Sequence, residues 1–137
     1  MFSYTDLIGV PFVDGGRDVK TGLDCYGLVM EIYRRNGIRL PEYYAPALDS
    51  EAVSRQIEQA KGSLDLWKLA EGKPFLSVMA IKFNCSLCNH TGVYLGGGRF
   101  IHTRERIGVN IDSIDSPAWK RRIAGFYVFE GGDKLSD

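Results

Sequence analysis

The stretch "GLDCYGLVMEIYRRNG" (Gly22–Gly37) decides how the first half of this chain is built. Leu28, Val29, Ile32 and Tyr33 recur at helical spacing, with Glu31, Arg34 and Arg35 on the other side. That is the pattern of an amphipathic helix packed on another layer. Gly37, just past the last periodic residue, is a C-terminal stop, and Pro41 forbids continuation. Asp24 follows a glycine-bearing turn and is suited to cap the other end. The predicted helix runs roughly from Leu23 to Asn36, which puts Cys25 in its first turn. There, unpaired backbone N–H groups and the positive end of the helix dipole favour a thiolate. Cysteines more often serve as small buried hydrophobes, so a chemical role for Cys25 depends on whether the chain supplies a base.

Outward from this helix the texture is segregated. Upstream, "LIGVPFVDGGRD" reads as a short element and a Gly-Gly turn, with Asp14 and Arg17 fixing the loop. Downstream, "DSEAVSRQIEQAKG" is a second helix: Asp49 or Ser50 can cap it, Ala52, Val53, Ile57 and Ala60 share a face, and Gly62 closes it. Beyond Gly72 the runs "FLSVMAIKF", "HTGVYLGG", "GRFIHTRE", "RIGVNIDSI" and "RIAGFYVFE" are β-rich, the second and third joined through Gly96, Gly97 and Gly98 as a hairpin. Helices first and antiparallel strands afterwards make an α+β fold. At 137 residues, without repeat or linker, the chain is expected to form one domain over 1–137.

The two histidines both fall in the hairpin. With its turn at Gly97, His90 faces residue 104 and His102 faces residue 92, so the two histidines are diagonal neighbours on one face if no bulge intervenes. Adjacent strands can thus offer a base and its orienter while a helix start offers the thiol.

Composition removes several classes of function. Formal net charge is zero, which gives no basic footprint for nucleic acid. No apolar run reaches membrane-spanning length, and "MFSYTDLIGVPF" lacks the pattern of a signal peptide, so the expected location is cytoplasmic as synthesised. Three cysteines do not make a disulfide framework. Cys85 and Cys88 have metal-ligand or redox spacing, but a zinc site would have to take Cys25 and His102 as its other ligands. No metal or other cofactor is expected, and the pair reads as structural thiols. Arg99, Arg104, Arg106, Arg121 and Arg122 read as a solvated face, and Trp67 and Trp119 as core or rim.

The motifs resemble those of the NlpC-type cell-wall endopeptidases, compact papain-like cysteine hydrolases of peptidoglycan. The matching residues are Asp24-Cys25-Tyr26-Gly27-Leu28-Val29, His90-Thr91-Gly92-Val93-Tyr94 and then His102, within a resemblance running from about Leu7 to Phe129. It implies a papain-like fold, with N-terminal helices packed on a C-terminal antiparallel sheet. It also implies Cys25 as nucleophile, His90 as base, His102 as its orienter, the Cys25 N–H as an oxyanion donor, and a stem peptide as substrate, commonly cut between D-glutamate and a diamino acid. Asp24, Tyr26 and Phe12 fall at substrate-side positions. Tyr26 replaces the family's usual serine and Phe12 its usual tyrosine, changes that bear on recognition rather than attack. The aromatic after the cysteine, the lone domain and the basic "WKRRIAGFYVF" ending resemble phage and prophage tail versions, with tail proteins as partners and the virion tail or release on lysis as location. A non-cutting tail protein that keeps the fold, and a cysteine-dependent amidase or acyltransferase, are the rival readings.

Overall fold

The computed structural model describes residues 2–43, 45–46, 49–62, 66–83 and 86–130. Helix α1 (Cys25–Arg35) and helix α2 (Ser50–Gly62) precede most of the strands. Six strands form an antiparallel sheet: β3 (Trp67–Leu69), β4 (Val78–Ile81), β5 (His90–Gly96), β6 (Arg99–Arg104), β7 (Gly108–Ser113) and β8 (Ile123–Phe129), in the order β3-β8-β4-β5-β6-β7. The segregation expected from the sequence is present. Among the described residues no helix is long and apolar enough to cross a membrane.

Helix α1 packs on β5 and β6. Leu28, Val29 and Ile32 are fully buried and join Val93, Ile101 and Val109 in one core. Each such side chain stabilises by about 1.5–3 kcal/mol relative to exposure. The other face of the sheet carries a second cluster: Met79, Ile81, Tyr94, Phe100, Ile114 and Trp119. Both tryptophans are buried, as Trp67 belongs to the first core.

One local expectation is revised. Leu23 lies outside α1, in a two-residue strand β2 (Gly22–Leu23) that pairs with β1 (Arg17–Asp18). Two-residue strands leave no periodicity to read. Strand β3 was also invisible in the sequence for that reason, with only three residues. Gly62 closes α2 as its last residue, as expected.

The hairpin register is the expected one: Val93 pairs with Ile101 and Tyr94 with Phe100. A bulge occurs, but at Tyr94–Gly96, on the turn side of the histidines. Gly96, Gly97 and Gly98 all have positive φ, a region that costs other residues strain. His90 and His102 therefore share the face that carries Tyr94 and Phe100, while Thr91 and Thr103 take the other.

Candidate active site

Asp24 caps α1, its Oδ1 accepting the Gly27 N–H at 2.7 Å. Arg17 holds that carboxylate by donating from Nη1 at 2.6 Å. The same guanidinium donates to Glu42 from Nε and Nη2, to the Gly16 carbonyl and to the Tyr43 carbonyl, so its whole donor set is used. The effect is to tie the 15–17 turn, the 42–43 loop and the start of α1 together. Gly27 completes the seat: a Cβ there would come within 2.1 Å of the Gly16 carbonyl oxygen, so only glycine fits.

Cys25 opens the helix so anchored, and it is 9% exposed. Burial, and next the Asp24 carboxylate beside it, push its thiol above the ordinary value. Hydrogen bonding from the Thr91 hydroxyl and N–H and the Tyr26 N–H works the other way without overcoming them. The thiolate expected from the helix start is thus not the resting form. The cap that makes the helix begin at Cys25 also places a negative charge there, which offsets the dipole.

The sheet contributes a line of three groups. His90 Nε2 lies 2.8 Å from His102 Nδ1, and His102 Nε2 lies 2.7 Å from Asp112 Oδ2. Asn110 donates to the same carboxylate oxygen at 2.9 Å. Partial burial raises the Asp112 carboxyl, but hydrogen bonds from His102 and Asn110 outweigh that and hold it below its usual range. An ionised Asp112 can only accept, so His102 donates from Nε2. His102 Nδ1 then accepts, His90 donates from Nε2, and the lone pair of His90 is left on Nδ1. Burial, followed by the neighbouring His102 and Arg104, keeps the His90 imidazole well below its usual pKa and hence neutral. Burial also lowers His102, against the pull of Asp112.

Aromatic groups wall this line from water. The Trp119 ring stands edge-on to His102 at 4.7 Å, and Phe83 lies 5.9 Å from His90. Arg104 lies over both Trp119 and Phe83, at 5.1 and 5.5 Å from their centroids, so it belongs to this wall rather than to a solvated face.

His90, His102 and Asp112 are thus brought into direct contact, and Cys25 is brought against Thr91, the residue next to His90. The groups that hydrogen-bond the sulfur come from Thr91 and Tyr26, and none is a ring nitrogen. Catalytic hydrogen bonds of substrate-free enzymes are often long and tighten only in the complex. Of the substrate-side positions, Asp24 is an internal cap and Tyr26 donates its hydroxyl to the Pro41 carbonyl at 2.6 Å. Phe12 makes a bridge to Leu23 and lines no part of the cavity at Cys25. Among the described residues no cluster of His, Cys, Asp or Glu is arranged to hold a metal. Cys88 is buried, and Cys85 lies outside the described residues.

The family model described as "NlpC/P60 family" matches residues 9–128. This chain belongs to the NlpC/P60 family. Murein DD-endopeptidase MepS/murein LD-carboxypeptidase of Escherichia coli is 32% identical over 124 residues, covering 89% of this chain and 57% of its own length. The chain therefore spans little more than half of that relative. Gamma-DL-glutamyl hydrolase of Bacillus subtilis is 30% identical, over 90% of this chain and 27% of its own. Among solved structures, the NlpC/p60 domain of the peptidoglycan hydrolase SagA superposes with a TM-score of 0.57 at 22% identity, covering 90% of this chain and 89% of that one. An NlpC/P60 family protein from Bacillus cereus gives 0.61 at 23% identity, covering 88% and 35%. The papain-like α+β fold expected of the NlpC/P60 family is the fold observed.

Proposed function

We propose that this chain is a cysteine peptidase acting on peptidoglycan stem peptides. The observation that carries the proposal is the hydrogen-bonded line from Asp112 through His102 to His90, which leaves a lone pair on His90 Nδ1, while Thr91, the next residue along the strand, meets Cys25. Thiol and imidazole both rest neutral, so proton transfer accompanies attack. His90 Nδ1 takes the thiol proton as the sulfur bonds to the scissile carbonyl carbon. The oxyanion faces the Cys25 N–H at the helix start. Nδ1 then gives its proton to the departing amine as the C–N bond breaks, leaving a thioester. Water attacks that thioester and passes a proton to His90. The C–S bond breaks and the sulfur regains the proton.

His102 and Asp112 orient His90 without touching substrate, and Phe83 and Trp119 keep bulk water away from it. Two bond classes are in play: a γ-glutamyl bond, as in the name of the Bacillus subtilis relative, and a D,D-peptide bond, as in that of the Escherichia coli one. The test is digestion of purified peptidoglycan followed by mass spectrometry of released peptides. New amine and carboxyl termini are expected with the native protein and not with Cys25→Ala; identical products from both would end the proposal.

One observation favours a second reading, a tail protein that keeps the fold without cutting. Tyr26 stands where the family's serine would, with its hydroxyl committed to Pro41. The same digestion separates the two.

A further inference from the structure

Cys25 lines a cavity of about 90 Å³ between α2 and the helix-facing side of the sheet. Tyr26, Val53, Ile57, Ala60, Val78 and Ala80 are among its walls. Its charged neighbours are engaged elsewhere: Arg17 with Asp24 and Glu42, Lys61 with Glu58. A carboxylate lodged here would lose its water and gain no free cation, a heavy cost. Thr91 also lines the cavity, and its hydroxyl is buried without a well-formed hydrogen bond.

The position of the cavity relative to the base assigns it a side of the scissile bond. The departing amine must receive its proton from His90, so it leaves toward the imidazole. His90, His102, Phe83 and Trp119 line none of the cavity. What enters it is therefore on the acyl side. An apolar cavity that accepts benzene measures roughly 150 Å³, so the space here suits an aliphatic side chain no larger than isobutyl.

We infer that the residue contributing the scissile carbonyl has a small, uncharged aliphatic side chain seated between α2 and the sheet, and that γ-glutamyl substrates are disfavoured. This deepens the peptidase reading and rests on Cys25 being the attacking group. It departs from the D-glutamyl bond that the sequence resemblance implies, and the physical reason is Tyr26: an aromatic ring takes the place of the serine that would meet the glutamyl group. Among the two bond classes above it selects the one whose acyl residue is uncharged.

The test is the rate at which Cys25 is alkylated by chloromethyl ketones of N-acetyl-D-alanine, N-acetyl-D-leucine and N-acetyl-D-glutamate, read by peptide mass spectrometry. Such probes report the site without requiring turnover. The alanyl and leucyl probes are expected to react at least about tenfold faster than the glutamyl one, a discrimination within reach of an apolar pocket. Ala60→Leu, which fills the cavity from α2, should remove most of the leucyl advantage. Ile57→Ala, which enlarges it, should extend the preference to a phenylalanyl probe, and it keeps the test decisive if Ala60→Leu fails to fold. A glutamyl probe that reacts as fast as the others, or filled and enlarged cavities that change nothing, would overturn the inference. An apolar preference alongside no Cys25-dependent wall digestion would sink the peptidase reading and leave the pocket assignment standing.

Discussion

Two aspartates flank the candidate site, and the chain uses them in opposite ways. Asp24, on the helix side, is 4% exposed and surrounded by donors that cannot release a proton at ordinary pH: the Gly27 and Gly15 N–H groups and the Arg17 guanidinium. Asp112, on the sheet side, meets Asn110 and an imidazole. The first therefore fixes backbone and the second fixes a proton. A carboxylate's role is set by whether its partner can titrate.

The largest effects should come where the two sides meet. Cys25→Ala is expected to abolish turnover, and His90→Ala to cut it by 10²–10⁴-fold, the usual worth of a general base. Both should leave far-UV circular dichroism unchanged. Activity retained in either would remove the chemistry from this site. Asp112→Asn should lower kcat by about 10–100-fold, as loss of a supporting carboxylate behind a functional histidine does elsewhere, with little change in melting temperature. A rate equal to the native one would mean that His102 keeps its tautomer unaided.

Arg17→Met should do the reverse. It strips a buried carboxylate of its cation and should cost about 2 kcal/mol or more in urea unfolding. If stability held while the rate collapsed, the contrast between the aspartates would fail. The smallest effect is on pH dependence. A thiol held above its ordinary pKa reacts with iodoacetamide only as pH rises toward the alkaline range, so Cys25 labelling at pH 6 should be slow in the substrate-free protein. Fast labelling there would reveal a preformed thiolate–imidazolium pair. By the same logic, a His90 held well below its usual pKa stays a competent base under mildly acid conditions, so kcat/KM should fall only below about pH 6.5.

Much of the fold was legible because its signals are local. The Asp24 cap, the stripe Leu28-Val29-Ile32-Tyr33 and the three hairpin glycines each carry their meaning within one turn of chain. The diagonal pairing of His90 and His102 followed from the parity of their positions. Asp112 was open to the same arithmetic: His102 pairs with Asn110 on β7, and a step of two brings Asp112 onto the histidines' face. The cavity had no such signal, since the distance between α2 and the sheet is set by tertiary packing and not by any periodicity. The thiol's raised pKa had no local signal either: it comes first from burial, which tertiary packing sets, and next from the charge of Asp24, which in the sequence reads as a cap.

The seat of Gly27 against Gly16 gives the site an unusual mechanical property. Backbone meets backbone there, with no side chain whose rotamer could absorb a shift. This helix start is seated directly on the preceding loop. A displacement of the 15–17 turn would therefore press on the backbone that carries Cys25 rather than on a side chain.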